Sequence, residues 1–282
     1  MPPMQDCRQC PTRSQCLMAH VDDSNLPQVR SALVHQARLS PGDVLLYPGM
    51  PFERVFLVRY GHFKTVVLAS EGQTQTTGLH GRGDVLGLDG LGHGAHVGEV
   101  LALQHASVCV FRFVALSELA GQLQELQRAL LVALSRSMQR DWQHMLLLGS
   151  MDGEERVASF LLTLKQQSPC PLGSESLDLM MTRQEIGHYL GMTLESVSRH
   201  LSQFQRRGWI RLERRRVDIL QPLALQHRRD RVGLSDASAS RTKHARPSGP
   251  ERTEGVSQLR ETGIFERNFH EIRQAVAIRC SR

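Results

Sequence analysis

At Leu116 the hydrophobic repeat of this sequence changes period, and that change divides what the chain can fold into. Upstream, over residues 40–113, short β-branched or aromatic runs at 44–47, 55–58, 63–68 and 108–113 are separated by twelve glycines between Gly42 and Gly98. Many short strands with glycine turns predict an antiparallel jelly-roll or barrel. Downstream, Leu116, Leu119, Leu123, Leu126 and then, after a one-residue shift, Leu131, Leu134, Met138, Asp141, Met145 and Leu148 recur at steps of three and four. This is a coiled-coil seam on one long helix. With no second comparable helix to cover it, the seam is expected to pack against its own copy in a two-fold dimer. Asp141 sits where an apolar residue belongs. Two such carboxylates facing one another near the axis would repel and weaken the dimer; a rotated helix that leaves Asp141 solvated is the alternative.

A further amphipathic helix is expected over 154–165, followed by a Pro/Gly/Ser loop at 168–176. Thr182 then opens a helix with the capping box Thr-Arg-Gln-Glu, in which Thr182 and Glu185 exchange side chain-to-backbone hydrogen bonds. Gly191 provides the left-handed residue that ends it, and Thr193 caps a second helix, 194–207, burying Val197, Leu201 and Phe204. Helix, glycine turn, helix at this length predicts a helix-turn-helix, with Gly187 small enough for the helices to cross closely. Residues 211–219 read as a hairpin wing whose tip is Arg214, Arg215 and Arg216.

If the second helix enters the major groove, its outward face presents Glu195, Ser198 and Arg199. Carboxylate, hydroxyl and guanidinium suit the cytosine amino group, either type of base edge, and guanine O6/N7 respectively. The plainer reading of Glu195 and Arg199 is a solvated ion pair within the helix. Charge favours DNA: residues 182–216 carry eight Arg against Glu185, Glu195 and Glu213. Arg183, Arg206, Arg207, Arg214, Arg215 and Arg216 would then contact phosphates without reading sequence. The formal charge of +6 is otherwise uninformative, because residues 227–282 hold 12 of the 34 basic and 7 of the 28 acidic residues.

Of six cysteines, Cys7, Cys10 and Cys16 form C-x2-C-x5-C beside Pro11. Three thiolates in one loop suit an inorganic centre that draws its fourth ligand from elsewhere; a mononuclear zinc site would show a second local pair. Cys109, inside a predicted strand, reads on its own as a buried core cysteine. Cys170 and Cys280 read as incidental. The first 20 residues lack a signal-peptide apolar stretch and no apolar run reaches membrane-spanning length, so a cytoplasmic protein without a membrane partner is expected.

The chain resembles the CRP/FNR superfamily of bacterial transcription regulators, and within it the oxygen-sensing FNR branch. The likeness runs from about residue 7 to 222 and is most specific in the three N-terminal cysteines with Cys109, in 84–92 (DVLGLDGLG), 141–148 (DWQHMLLL), 154–156 (EER) and 181–199 (MTRQEIGHYLGMTLESVSR). The resemblance implies an α+β chain: a β-roll of the cyclic-nucleotide-binding type, a dimerisation helix and a winged helix-turn-helix. It implies that Cys7, Cys10, Cys16 and Cys109 hold an oxygen-labile 4Fe-4S cluster. Glu195, Ser198 and Arg199 match the family's readers of palindromic TTGAT half-sites in double-stranded DNA. Asp141 matches the seam aspartate that keeps the cluster-free form monomeric, so that the homodimer belongs to the cluster-loaded state. A β-turn near residues 68–73 corresponds to the family's RNA polymerase contact, although its sequence departs from the family type.

The cyclic-nucleotide branch shares this architecture but uses a Gly-Glu and, further on, an Arg-Ser/Thr-Ala to hold the phosphate. Here Gly87 precedes Leu88, and 96–99 (HVGE) has neither the cation nor its hydroxyl partner, so no cyclic nucleotide is expected. Zinc-bound or redox-active cysteines without a cluster are the alternative sensor. Nothing singles out an enzyme's nucleophile or phosphate loop. The expected divisions are a cysteine segment 1–25, the roll 26–115, the dimer helix 116–149, the DNA-binding domain 150–222, and a basic, largely disordered tail 223–282.

Overall fold

The computed structural model describes residues 6–68, 74–167 and 176–229. Three short 3-10 turns, Cys7–Gln9, Arg13–Gln15 and Leu17–His20, precede α1 (Leu26–Ser31). Eight strands follow: β1 (Leu33–Leu39), β2 (Val44–Leu46), β3 (Arg54–Tyr60), β4 (Phe63–Leu68), β5 (Thr74–His80), β6 (Val85–Leu86), β7 (Glu99–Ala102) and β8 (Ala106–Arg112). They form two antiparallel sheets, β1-β8-β3-β6 and β2-β7-β4-β5, the roll that the glycine spacing predicts. Leu46, Phe56, Phe63, Val108 and Val110 fill the space between the sheets. The first sheet is buried on its other face too, where Val55, Leu57 and Phe111 meet Leu17, Leu116, Leu126 and Ala129. Because β3 and β8 are covered on both sides, they read as continuous apolar runs without alternation.

The seam is not one helix. α2 (Phe113–Gln122) and α3 (Gln124–Ser150) are separated at Leu123, whose backbone is extended (φ −115°, ψ 101°). This corrects the single helix expected over 116–149, and the break lies ahead of the shift in the repeat. The cause is packing. Leu116 and Ala120 of α2 and Leu126 and Ala129 of α3 are all buried in the same core against the roll, which a straight helix could not achieve around the sheet edge. The early seam leucines therefore belong to the chain's own core. Of the later ones, Leu131, Met138 and Met145 are exposed, with Trp142 and Leu146 beside them, whereas Leu148 packs against the C-terminal core.

The C-terminal part consists of α4 (Gly153–Gln167), β9 (Ser176–Asp178), α5 (Arg183–Leu190), α6 (Leu194–Arg206), β10 (Ile210–Glu213), β11 (Arg216–Ile219) and α7 (Pro222–Arg229). Both arms of the capping box are present: the Thr182 hydroxyl accepts from the Glu185 N–H (3.2 Å), and the Glu185 carboxylate accepts from the Thr182 N–H (2.8 Å). Gly191 ends α5 in the left-handed region (φ 61°, ψ 44°), and Thr193 caps α6 through the Ser196 N–H (3.2 Å). Val197, Leu201 and Phe204 join Val157, Leu161, Ile186 and Leu190 in one core. β10, β11 and β9 form a three-stranded wing sheet, in which β9 was not foreseen.

α7 corrects the tail expected from residue 223. Leu225 is fully buried, and Arg228 reaches Asp152 (2.6 Å), Glu154 (3.4 Å) and Glu155 (2.5 Å) at the start of α4. An Arg-rich sequence became a helix here because its cations neutralise acidic residues at a helix N-terminus. On the same first turn of α4, Arg156 donates to the carbonyls of Leu148 (2.7 Å), Met151 (2.9 Å) and Leu190 (2.9 Å), joining α3, α4 and α5. Among the described residues no helix is long and apolar enough to cross a membrane.

Gly187 is where α5 and the turn meet most closely: a Cβ there would lie 2.5 Å from the Met192 carbonyl oxygen. Gly187→Ala is expected to destabilise the domain by about 1–3 kcal/mol, read as a lower urea midpoint at unchanged slope; an unchanged midpoint would contradict the close crossing.

Candidate cysteine centre and nucleic-acid interface

The N-terminal cysteines are presented by the 3-10 turns. Asp6 caps the first, Cys10 N–H donates to the Cys7 carbonyl (3.3 Å), and Cys16 N–H to the carbonyls of Thr12 and Arg13 (both 3.1 Å). The loop is fastened to the roll by the buried Thr12 hydroxyl, which donates to the Arg59 carbonyl on β3 (2.6 Å). Leu17, Met18 and Val21 sink into the core beneath α3.

Cys109 lies on β8 between Gln36 of β1 and Leu57 of β3. It faces the same side as Phe111, toward the loop. As a result Cys7, Cys10, Cys16 and Cys109, ninety residues apart in sequence, line one small cavity of about 20 Å³ together with Leu57 and Phe111. All four are free thiols. Burial pushes the Cys16 thiol up to about 11 and the Cys109 thiol up to about 12, and raises that of Cys7; neighbouring cysteines add to the rise in each. A mutually repelling, desolvated set of thiolates needs cationic charge in its midst before it can form. Among the described residues no group of three or more His, Cys, Asp or Glu side chains is already arranged around a single ion.

From this cavity the packing leads to α3. Gly83 sits against the loop so tightly that a Cβ would meet the Gln15 carbonyl oxygen at 2.2 Å. The adjacent Asp84 pairs with Arg140 of α3 (2.7 Å), and Asn25 donates to Glu125 at the start of α3 (2.7 Å). Asp141, next to Arg140, is exposed on the same stretch of helix as Met138, Trp142 and Met145.

On α6, Glu195 and Arg199 are exposed and Ser198 half-buried, opposite the buried Val197 and Leu201. The Glu195 carboxyl is held below its ordinary range by its own backbone N–H and the Thr193 hydroxyl, with no contribution from Arg199, so the plain ion-pair reading has no support in this geometry. The arginines differ from one another. Arg206, Arg214 and Arg215 are exposed, and Arg214 takes a positive φ of 53° at the wing tip. Arg207 is ion-paired with Glu154 and lies over the Trp209 ring (4.9 Å). Arg216 is tied back to Asp218 (3.3 Å) and Ser176 (2.7 Å), and burial lowers the affinity of the half-buried Arg183 for its proton. The sequence offered no sign that Arg207 and Arg216 have partners in the fold. The turn at 69–73 lies outside the described residues, as do Cys170, Cys280 and the tail beyond 229.

In the roll, Gly87 adopts φ 88° and opens a 3-10 turn, Leu88–Leu91. The Asp89 carboxylate accepts from the Val97 N–H (2.9 Å), with the Gly98 N–H at 3.5 Å, and pairs with the buried His96 (3.1 Å). Successive backbone N–H groups of this kind form an anion nest, and here the anion is the chain's own.

Two family models match: a Crp-like helix-turn-helix domain over residues 155–228 and a cyclic nucleotide-binding domain over 36–122. The transcriptional regulatory protein btr of Bordetella pertussis is 35% identical over 78% of this chain and 91% of its own length. The transcriptional activator protein anr of Pseudomonas aeruginosa is 34% identical over 79% and 92%. Among solved structures, FixK2 from Bradyrhizobium japonicum superposes with a TM-score of 0.63 at 30% identity, covering 68% of this chain and 95% of that one. With a cyclic nucleotide-binding-type roll ahead of a Crp-like helix-turn-helix domain and relatives of this identity that are transcription regulators, the chain belongs to the CRP/FNR family of DNA-binding transcription regulators and is not an enzyme.

Proposed function

We propose that this regulator is oxygen-responsive, that Cys7, Cys10, Cys16 and Cys109 hold a 4Fe-4S cluster, and that the cluster-loaded chain dimerises through α3 to bind palindromic DNA. The observation that carries this is the convergence of four free thiols, from a loop and a distant strand, on one cavity. One local group, C-x2-C-x5-C, with a single distant cysteine suits a cluster better than the two paired ligand groups of a mononuclear zinc site. When bound, such a cluster supplies iron-sulfur chemistry that oxygen can attack. β8 is fixed at the centre of a sheet, so the loop carrying Cys7, Cys10 and Cys16 is the side that yields to admit it. That loop packs on Gly83, and Asp84 passes its position to Arg140.

The exposed Leu131, Met138, Trp142 and Met145 are the surface that a second copy would cover, and Asp141 is the charge that opposes it. In the dimer two copies of α6 address half-sites about one helical turn apart. Glu195, Ser198 and Arg199 read TTGAT-type bases, while Arg206, Arg214 and Arg215 make phosphate contacts. Arg183, Arg207 and Arg216 contribute charge to the same face but are held by burial or by partners within the fold. Activation would run through RNA polymerase in the cytoplasm. The nest around Asp89 supports a roll that takes no cyclic nucleotide, because its donors already hold a carboxylate.

Anaerobically purified protein is expected to show broad visible absorbance with about four iron and four sulfide per chain; zinc in their place would overturn the cluster. Asp141→Ala is expected to give DNA-binding dimers in air by sedimentation and gel shift, and a variant that stays monomeric would refute the role of the seam charge. Arg199→Ala should cost about 1–3 kcal/mol and relax preference at one base position, whereas Arg214→Ala should weaken all sequences alike and lower the salt slope by about 1.

A further inference from the structure

A helix leaves its last carbonyls without intrahelical partners, and on an exposed helix water takes them. In α5 they are taken by side chains from three other elements. The His188 carbonyl accepts from Gln75 Nε2 on β5 (2.5 Å), the Tyr189 carbonyl from His144 Nε2 on α3 (2.8 Å), and the Leu190 carbonyl from Arg156 Nη1 on α4 (2.9 Å), with the Gly191 carbonyl at 3.4 Å from the same atom. The His144 and Tyr189 rings are stacked, 4.3 Å apart and 4° from parallel. At the other end of the helix Lys64 of β4 donates to Glu185 (2.6 Å), using the carboxylate oxygen that the capping box leaves over.

We propose that α5 is the joint that sets the angle of the reader, with Gln75 and His144 as its positioning residues. α5 cannot rotate without carrying α6, because Gly187 and the Met192 carbonyl leave no space between them. Nor can α6 turn independently of the roll and of the dimer helix while both donors hold the carbonyl end of α5. The donors come from the two parts whose relation the sensor would alter, so the clamp fixes not how strongly one α6 binds a half-site but how two of them are spaced. The inference rests on α6 being the reader, as proposed above.

The test uses the full chain, prepared anaerobically and verified as a dimer by sedimentation. Its substrates are duplexes carrying the palindrome with its native spacer or with one or two base pairs added or removed. The unaltered protein is expected to prefer one spacer by roughly tenfold or more, within the range that separates good from defective sites. Gln75→Leu and His144→Leu, singly and together, are expected to flatten that preference while keeping the base preference within each half-site. His144→Gln, which restores a donor of similar reach, is expected to restore the preference. Equal loss of affinity on every spacer, or an undiminished preference in the double variant, would overturn the clamp. Arg199→Ala is measured alongside: unchanged base preference there would overturn α6 as the reader, whereas its loss together with an undiminished spacer preference in the double variant overturns the clamp alone.

Discussion

The architecture hinges on the guanidinium of Arg156. Two helices end around it and a third, α4, begins with it: the C-terminal ends of α3 and α5 present carbonyl groups that have no partner along their own axes. A single planar cation with several donors meets them at once, and its charge opposes the partial negative ends of α3 and α5. The ends of α3 and α5 and the start of α4 are thereby tied together beside the apolar core that Leu147, Val157, Ile186 and Leu190 share. Arg228 repeats the device on the same first turn of α4, where three carboxylates surround one cation. Lysine could not replace either residue, since a point charge lacks the fork that spans separate acceptors.

What was legible in the sequence was what is decided locally. The capping box at Thr182, the left-handed Gly191, the close crossing at Gly187 and the wing hairpin all depend on residues within a few positions of one another, and each was found where expected. The strands β1, β5, β6 and β7 escaped notice: LVHQARL and TQTTGLH lack a clear alternation, and β6 and β7 are only two and four residues long. The break at Leu123 was invisible because the seam leucines continue through it; only the curvature of the roll requires it. α7 was misread for the opposite reason, its composition resembling the tail although Leu225 and Arg228 are satisfied by distant partners.

The site divides along the same line. That three of the cysteines belong together is written in their spacing, and that Cys109 joins them is written only in the register of β8 and the packing of the loop. The outward face of α6 was legible from helical periodicity, whereas Arg207 pairs with Glu154, 53 positions away, and Arg216 is held both by Asp218 nearby and by Ser176, 40 positions away. Counting arginines therefore overstated the free charge of the interface.

The carboxylate of Asp89 gives the roll a character that its outline conceals. It is tethered nine residues or fewer from the backbone donors that it occupies, so it competes with any dissolved anion at an effective concentration on the order of millimolar or more. An anion seeking the same donors would have to displace it and also leave the buried His96 without its partner. The donors of Val97 and Gly98 thus meet a dissolved anion already occupied by a side chain of the same roll, so the turn that holds them is closed from within.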